Sequence, residues 1–356
     1  MEWKGNKGEW SELYAFLRLL GDGCIYCGDE ALNRRLDRAY PILKIFRTDK
    51  PDRIAYSVQP DRESIEVRGT EHVEEYAQRI FTIQADRLLE LIKGIKTADF
   101  TEITPFLEAI GVDSIKAKST DKADIRLVIH DIRTGACPEL GYSIKSRLGA
   151  PSTLINANVD KTNFLYRVSD LSDDEIIHCN SLRNFKEKFA YLDRLGAHIE
   201  FVQTCGQPLK VNLMMLDLGM EQIIGQLLLS YYRGCSGRLI EKLTLDLVQQ
   251  NPLKLEDVSQ QPIYQYKVKQ FLLAFALGMT CSKPWSGRFN ANGGYIVVKE
   301  DGDIVCYHFF ERNDLEEYLF CSTQFDTPST TRHQFGKILR VDGECFLKLN
   351  LQVRFV

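Results

Sequence analysis

The 356-residue sequence lacks the long apolar segment that a membrane-spanning helix requires. Its longest apolar run, FLLAFALGM at 271–279, falls well short of the ~20 residues that cross a bilayer and is typical of a buried helix. The sequence is charged from its second residue, unlike the leader of a secreted protein. We therefore expect a soluble, cytoplasmic protein without a membrane partner.

Paired cysteines of the kind that build disulfide frameworks or zinc sites are also missing. Ten cysteines are spread along the chain, and only Cys24 and Cys27 form a CxxC pair. A structural zinc ion needs four ligands, and no second pair supplies the other two. We interpret the cysteines as reduced thiols and place Cys24 and Cys27 in a turn.

The sequence has neither a strong positive charge nor a familiar catalytic motif. A net charge of −4 and a pI near 6.0 argue against a protein that coats nucleic acid non-specifically, but they permit an enzyme whose cations are concentrated locally. GxxxxGK[ST], HExxH and GxSxG are absent, and no GxGxxG follows a strand. A nucleotide-using enzyme is therefore disfavoured.

The residues that are present indicate an ordinary globular protein of mixed α/β (α+β) class. The composition is 44% hydrophobic and 26% charged, and the length suits one elaborated domain or two domains. Apolar periodicity predicts helices at 9–21, 71–96, 182–195, 208–233, 238–249, 263–279 and 311–320. Short β-rich runs predict strands at 41–46, 54–58, 64–68, 123–132, 141–146, two in a hairpin at 295–309, and two within 337–349.

These elements suggest a division near residue 175. We predict a core sheet with flanking helices in 1–175. Residues 176–356 are predicted to be a mainly helical region that ends in short strands. The Asp301-Gly302 pair is a strong turn signal for the late hairpin.

One predicted hairpin carries the residues that metal-assisted phosphodiester hydrolysis needs. Asp124 begins the first strand, and Ser143 and Lys145 share one face of the second, with Ile144 pointing to the core. Carboxylates are ligands for Mg²⁺, and a lysine stabilises developing negative charge. The layout is that of a PD-(D/E)xK nuclease with Ser143 in place of the second acid, so we predict that the core sheet of 1–175 is nuclease-like. The alternative is that Asp124 and Lys145 form a surface salt bridge or are two solvated charges.

A replacement for the second acid is predicted on the first helix. Leu13, Phe16 and Leu20 belong to its apolar stripe, and Glu9 lies near the middle of that stripe. We choose Glu9 as the second metal ligand, with Glu12 as the fallback. The alternative is that Glu9 only occupies the first turn, where the helix dipole favours an anion.

Four segments resemble parts of the HpaII-type restriction endonucleases: GNKGEWSELYAFLRLL, SIKSRLGAPSTLINAN, ANGGYIVVKEDG and KLNLQVRF. They extend from the first helix to the C-terminus. The resemblance implies a Mg²⁺-dependent type II endonuclease that acts on double-stranded DNA, with CCGG as the target of the best-known member and a companion DNA methyltransferase. It supports Asp124 and Lys145 as catalytic residues, whereas the second acid stays open.

DNA contacts are expected from two polar segments. In the first, SRLGAPSTLINANVDKTNF, Arg147 is the best candidate to read guanine; a phosphate contact or a surface ion pair is the alternative. The second, STTRHQFGK, belongs to the region 176–356, which we predict contributes to DNA binding, and its Lys337 lies near the candidates Arg332 and His333. The remaining candidates serve bases or phosphates: Ser146, Ser152, Thr153, Asn156, Asn158, Asn163, Arg332 and His333.

The sequence therefore predicts a site-specific endonuclease that leaves 5′-phosphate and 3′-hydroxyl ends. Asp124 and Glu9 would bind Mg²⁺, Lys145 would assist the attacking water, and Ser143 would orient a water or Lys145. A palindromic target suits a homodimer, and monomers that nick each strand in turn are the alternative. A DNA-binding protein with an inactive nuclease fold is the competing function, for which Ser143 is the evidence.

Overall fold

The computed structural model describes most of the chain in two compact units. The first unit is Met1–Ser152 with Phe289–Leu315, and the second is Thr153–Arg288 with Glu316–Val356. This division differs from the predicted one at 175, because the late hairpin belongs to the first unit. The described residues are 3, 5–29, 31–48, 53–69, 73–94, 100–115, 123–169, 171–256 and 262–356.

Helices and strands alternate irregularly along the chain, which confirms the mixed α+β class. The helices are α1 Lys7–Asp22, α2 Gln78–Lys93, α3 Thr104–Ala109, α4 Asp173–Ser181, α5 Phe185–Arg194, α6 Gln207–Leu216, α7 Met220–Arg233, α8 Ile240–Gln250, α9 Ile263–Leu277, α10 Arg312–Cys321 and α11 Thr330–His333. The strands are β1 Cys24–Gly28, β2 Arg34–Thr48, β3 Arg53–Gln59, β4 Ser64–Arg68, β5 Val73–Ala77, β6 Ile125–Ile129, β7 Glu139–Ser146, β8 Thr153–Ile155, β9 Asn163–Val168, β10 Ile199–Thr204, β11 Gly294–Val298, β12 Ile304–His308, β13 Thr323–Phe325, β14 Ile338–Val341, β15 Glu344–Asn350 and β16 Val353–Phe355.

Helix α1 begins and ends at recognisable capping residues. Asn6 and Glu9 form a reciprocal capping box, in which each side chain accepts a hydrogen bond from the other's backbone N–H. Gly23 ends the helix with φ of 63°, a left-handed conformation that glycine adopts without strain. Leu13, Leu17 and Leu20 are fully buried. The predicted helix is therefore confirmed, and its apolar stripe faces the core.

The described strands of the first unit form one nine-stranded mixed sheet. Its order is β1-β12-β11-β7-β6-β2-β3-β4-β5, and β1 also pairs with the first half of the long β2. Strands β6 and β7 form the predicted antiparallel hairpin, and β7 pairs in parallel with β11. The later hairpin thus joins the sheet beside the predicted catalytic strand.

Helices α1 and α2 bury the apolar core of the first unit together with this sheet. Ile144 belongs to that core, as the alternation of β7 predicts, and Ser143 and Lys145 face the other way. The prediction that Cys24 and Cys27 lie in a turn is wrong, since both are in β1. All ten cysteines are free thiols.

The predicted helix at 71–96 is only partly correct. Residues 73–77 form the edge strand β5, which pairs with β4, and α2 begins at Gln78. Val73 and Tyr76 suit an edge strand, and the strand pairing outweighs the helical propensity of the glutamates between them. The ends of the prediction, at 71–72 and 95–96, lie outside the described residues.

The second unit carries more strands than its helical pattern predicts. Its described strands form a four-stranded sheet in the order β10-β9-β15-β14 and a three-stranded sheet in the order β13-β16-β8. The predicted helix at 208–233 is divided into α6 and α7 at Asp217–Gly219. Within the described residues no single helix is long and apolar enough to cross a membrane, although the pair α6 and α7, bent by 111°, meets the length and composition together.

His308 is a fully buried imidazole at the end of β12. Its Nδ1 accepts a hydrogen bond from the Phe310 backbone at 2.9 Å, and its Nε2 has no hydrogen-bond partner among the described residues. The ring stacks against Tyr40 with centroids 4.6 Å apart. Desolvation lowers the pKa of His308 to about 4; the negative charge of Asp131 opposes this by a smaller amount, and the positive charge of Arg133 adds to the lowering.

We expect this histidine to make the protein less stable in acid. The unfolded imidazole binds a proton near pH 6.5 and the folded one only near pH 4, so unfolding takes up a proton between these values. Its contribution is complete above pH 6.5 and falls by about 3 kcal/mol as the pH drops through this window. Urea unfolding at pH 7 and pH 4.5 measures the fall. The His308→Gln variant should show a smaller fall, and an equal fall in both proteins would contradict the assignment.

Candidate active site

The hairpin of β6 and β7 places Asp124 opposite Ser143. The Asp124 backbone N–H donates to the Tyr142 carbonyl oxygen at 2.8 Å, which extends the ladder that pairs Ile125 with Tyr142. Asp124 is partly exposed at the start of its strand, whereas Ser143 is 4% exposed. The sequence correctly paired these two positions, although they are separated by a long loop.

Two hydrogen bonds orient the Asp124 carboxylate. Its Oδ2 accepts from Ser143 Oγ at 2.9 Å and from the Ile144 backbone N–H at 2.8 Å. Its Oδ1 has no hydrogen-bond partner within the described residues. Ser143 therefore holds the acid of the neighbouring strand, with one carboxylate oxygen left for another ligand. The predicted roles of Ser143 did not include this contact.

Lys145 lies on the same face of β7 as Ser143, two residues further along the strand. Its Nζ is 5.5 Å from the centre of the Tyr295 ring, which is 1% exposed. Tyr295 lies on β11, where it pairs in register with Ser143. A cation is attracted to an aromatic face, so Tyr295 is a positioning residue for the ammonium group that the sequence analysis missed.

A carboxylate of α1 shares a cavity with Asp124, and that carboxylate belongs to Glu12. The cavity is lined by Glu12, Phe16, Phe46, Arg47, Asp124 and Ile125. Glu9 is absent from this lining, and its Oε2 accepts from the Asn6 backbone N–H at 2.9 Å in the capping box. The structure therefore favours Glu12, the fallback, over Glu9, the first choice, which lies one helical turn before it on α1.

Arg47 adds a positive charge to the cavity and was not predicted. It is 7% exposed, and its Nη2 donates to the Ile115 carbonyl oxygen at 3.0 Å and also to that of Ser114. A buried guanidinium is costly without partners, and these carbonyl oxygens supply them. The sequence signal for Arg47 is its position at the end of the apolar run PILKIFR, and the sequence analysis did not use it.

The donor set fits a hard divalent cation that keeps most of its water ligands. No group of three His, Cys, Asp or Glu side chains in the described part of the chain is placed to hold a metal ion. Mg²⁺ is commonly bound through one or two carboxylates, with waters and phosphate oxygens completing its octahedron. Asp124, with its unpartnered Oδ1, and Glu12 across the cavity provide such a pair.

Comparison with known proteins shows the family of the chain. The family model of the HpaII restriction endonuclease matches residues 6–355, which is nearly the whole chain. The chain belongs to this family. It is 40% identical to the type II restriction enzyme HpaII of Haemophilus parainfluenzae, over 99% of this chain and 98% of that protein. No solved structure matches the chain significantly.

Membership of the HpaII family shows that the chain is a site-specific endodeoxyribonuclease. Its substrate is double-stranded DNA, and divalent metal ions are the general cofactors of type II restriction enzymes. Membership of this family excludes the alternative that the chain is a nucleotide-using enzyme.

In the first unit of this HpaII-family chain, the predicted DNA contacts differ in their surroundings. Ser146 Oγ donates to Ser11 Oγ at 2.9 Å and accepts from the Leu148 N–H at 3.0 Å, so it ties the end of β7 to α1. The half-buried Arg147 side chain has no hydrogen bond or ion pair within the described residues. Ser152 is half-buried. Ser146 therefore has a structural role, whereas the Arg147 guanidinium is unpaired among the described residues.

In the second unit, one buried side chain brings the two predicted DNA-contact segments together. Asn163 is 1% exposed, and its Nδ2 donates to the Val159 carbonyl at 2.7 Å and to the His333 carbonyl at 3.1 Å. The Asn350 Nδ2 donates to its Oδ1 at 2.7 Å. All three hydrogen bonds occupy the Asn163 amide inside the protein. Asn163 therefore has a structural role, linking the two segments, and does not contact bases.

The other candidates of this unit are more accessible. Asn156 and Arg332 are exposed, and Thr153 and His333 are half-buried. Asn158 shapes its own turn, since its Oδ1 accepts from the Asp160 N–H at 3.0 Å. Desolvation and the positive charge of Arg332 lower the pKa of His333, which favours its neutral form. Of these candidates, Asn156 and Arg332 are the most accessible to a DNA phosphate or base edge.

Proposed function

We propose that the chain is a Mg²⁺-dependent restriction endonuclease that cuts double-stranded DNA at a short sequence, with CCGG as the first target to test. The observation that carries this proposal is the grouping of Asp124, Ser143 and Lys145 on neighbouring strands, with Glu12 bordering the same cavity as Asp124. The printed name of the 40% identical relative supports the choice of target. The proposed fold of the core is that of the PD-(D/E)xK nucleases.

The proposed metal ligands are Asp124 and Glu12. A divalent ion bound there would polarise the scissile phosphate and make a bound water more acidic. Ser143 and the Ile144 N–H fix the Asp124 carboxylate, so that Oδ1 faces the ligand without rearrangement. Arg47 offsets the two negative charges while the site is empty of phosphate.

Lys145 is proposed to stabilise the negative charge that develops on the phosphate oxygens. Its ammonium group is held over Tyr295 in a partly buried position, where a charge interaction is stronger than in bulk water. Lys145 also hydrogen-bonds and orients the attacking water in this proposal. Attack on phosphorus with loss of the 3′ oxygen leaves 5′-phosphate and 3′-hydroxyl ends.

The biological setting belongs to the same proposal. Protection of host DNA requires a companion methyltransferase that modifies the same sequence, and the enzyme acts in the cytoplasm. A symmetric dimer would cut both strands of a palindrome at once, whereas a monomer would nick them in turn.

Digestion of unmethylated plasmid DNA tests the proposed function. We expect discrete fragments with Mg²⁺, none with EDTA, and CCGG at every sequenced end, each carrying a 5′-phosphate. Fragments that share another motif would correct the target alone. Intact DNA that the protein retains in a sequence-selective manner would instead favour an inactive nuclease fold.

Replacement of Ser143 with alanine tests its contact with Asp124. The variant loses one hydrogen bond to the carboxylate and keeps that of Ile144, so we expect kcat to fall about tenfold. DNA affinity should not change, and more Mg²⁺ should be needed for half-maximal cleavage. Single-turnover cleavage over a Mg²⁺ titration measures both effects. A Ser143→Ala enzyme with wild-type rate and Mg²⁺ dependence would show that this hydrogen bond is not used.

A further inference from the structure

The longest stretch of sequence without an acidic residue lies at 258–299. Aspartate and glutamate supply 49 of the 356 residues, yet none occurs in these 42 positions, which contain five lysines and arginines. Three of the five are neutralised: Lys267 pairs with Asp217, Lys269 with Glu317, and Lys299 with Asp301 and Asp303. Two cations, Lys283 and Arg288, have no carboxylate partner among the described residues.

Both unpaired cations lie in an unusually long connection. Between α9 and β11 sixteen residues, 278–293, form neither helix nor strand. Connections longer than about 12–15 residues are uncommon in compact proteins and are usually functional or disordered. The part that contains Lys283 and Arg288, which we call the 280–288 loop, belongs to the second unit.

The 280–288 loop is ordered by one buried side chain. Asn212 of α6 is 0% exposed. Its Nδ2 donates to the carbonyl oxygens of Thr280 and Lys283, each at 2.9 Å, and its Oδ1 accepts from the Trp285 N–H at 2.8 Å. The amide thus uses both donors and its acceptor on the loop backbone. A loop held in this way loses little conformational entropy when it binds a ligand.

A second contact shapes the end of the loop. The indole Nε1 of Trp285 donates to the Arg288 carbonyl at 3.0 Å, which closes a turn around Ser286 and Gly287. Lys283, Ser286, Gly287 and Arg288 are exposed, and Trp285 is half-buried. The result is a fixed, solvent-facing arc that presents two cations and a hydroxyl and lacks acids.

We propose that the 280–288 loop binds phosphates of the DNA backbone through Lys283 and Arg288, with Asn212 as the positioning residue. The inference rests on the proposed function, because it assigns a further contact to the same substrate. An acid-free cationic arc matches the phosphodiester backbone, which repels carboxylates and accepts hydrogen bonds from Lys, Arg and Ser. Contacts of this kind orient a duplex without reading its sequence.

The double variant Lys283→Ala/Arg288→Ala tests the proposal. Each lost phosphate contact reduces the slope of log affinity against log salt by about 0.9, so the slope should become shallower by about 1.8. At 100 mM salt we expect affinity to fall on the order of tenfold, and equally for target and non-target duplexes. Fluorescence anisotropy in EDTA, which prevents cleavage, measures affinity across a salt series.

A charge-matched control separates a local contact from a loss of net charge. Arg183 and Lys242 are exposed, lie elsewhere in the second unit, and have no described ion pair. Arg183→Ala/Lys242→Ala should keep the wild-type salt slope. An unchanged slope in the loop variant, or an equal change in the control, would overturn the loop assignment. If the wild-type protein binds no DNA at all, the proposed function fails with it.

Asn212→Asp tests the positioning role with an isosteric side chain. The carboxylate cannot donate to Thr280 and Lys283, so the loop should loosen and trypsin should cut faster after Arg288. Its salt slope should shift toward that of the double variant, which a purely structural role of Asn212 would not produce. If this variant does not fold, the double variant still decides the proposal.

Discussion

Replacing Lys145 with alanine is expected to reduce cleavage by roughly a hundred- to a thousandfold, the cost of losing one preorganised charge partner of the transition state. Sequence-specific DNA binding should be largely intact, because Lys145 acts on the reacting phosphate and not on the bases. Single-turnover cleavage at saturating enzyme, together with anisotropy in EDTA, separates the two effects.

Lys44 provides the matched control for this variant. It is an exposed lysine of β2 in the same unit, and we expect Lys44→Ala to cut at the wild-type rate. A Lys145→Ala enzyme that keeps full activity would remove Lys145 from the mechanism. Loss of both cutting and binding would indicate that Lys145 supports the fold, and a thermal melt would then show a lowered Tm.

Exchanging the two glutamates of α1 for glutamine should have opposite consequences. Glu12→Gln keeps the shape of the side chain but removes a proposed metal ligand, so we expect cleavage to fall on the order of a thousandfold. Glu9→Gln should cut normally, because glutamine can also accept the Asn6 N–H in a capping box. Cleavage rates of both variants over a Mg²⁺ titration make the comparison.

Comparing the cleavage rates of the two variants shows which glutamate is the metal ligand, because the conclusion depends on the difference between them. An inactive Glu9→Gln enzyme beside an active Glu12→Gln enzyme would reinstate Glu9 as the ligand. Two active enzymes would mean that α1 supplies no metal ligand, and Asp124 would then need another partner. Thermal melts should show Tm values near that of the wild type for both, since neither change creates a cavity.

The hairpin of β6 and β7 was predictable because its signal is local. The residues of ADIRLVI and GYSIKS alternate in polarity, and strand alternation fixes which side chains share a face. That reasoning correctly placed Asp124 opposite the segment of Ser143 and Lys145. The neighbouring strand β11 was predicted as a hairpin strand, but its parallel pairing with β7 was not. The pairing joins residues about 150 positions apart, and no local pattern encodes it.

The second acid shows where a helical wheel is insufficient. Glu9 faces the apolar side of α1, yet it lies three residues after Asn6, the spacing of a capping box. That spacing can be read from the sequence, and it supports the stated alternative that Glu9 occupies the first turn of the helix. The shared cavity of Glu12 and Asp124 depends on how α1 packs on the sheet, which the wheel does not specify.

In the second unit, helices were easier to predict than strands. Helices α8 and α9 lie at their predicted positions, because each has a continuous apolar stripe. Strand β9 was missed, although it pairs with both β10 and β15. The strand is buried on its inner face and spans only six residues, too few for a clear period. The pairing of β9 with β15 places Asn163 beside Asn350, whose side chain donates a hydrogen bond to it.

Binding of Mn²⁺ to the protein–DNA complex tests the central claim most directly, that Asp124 and Glu12 hold the divalent ion at the scissile phosphate. The complex would be formed with a duplex that carries a non-hydrolysable linkage at the cut position, and bound Mn²⁺ would be counted by electron paramagnetic resonance. We predict that the wild-type and Glu9→Gln proteins bind the ion, and that Asp124→Asn and Glu12→Gln bind it far more weakly. Undiminished Mn²⁺ binding in both Asp124→Asn and Glu12→Gln would contradict the account.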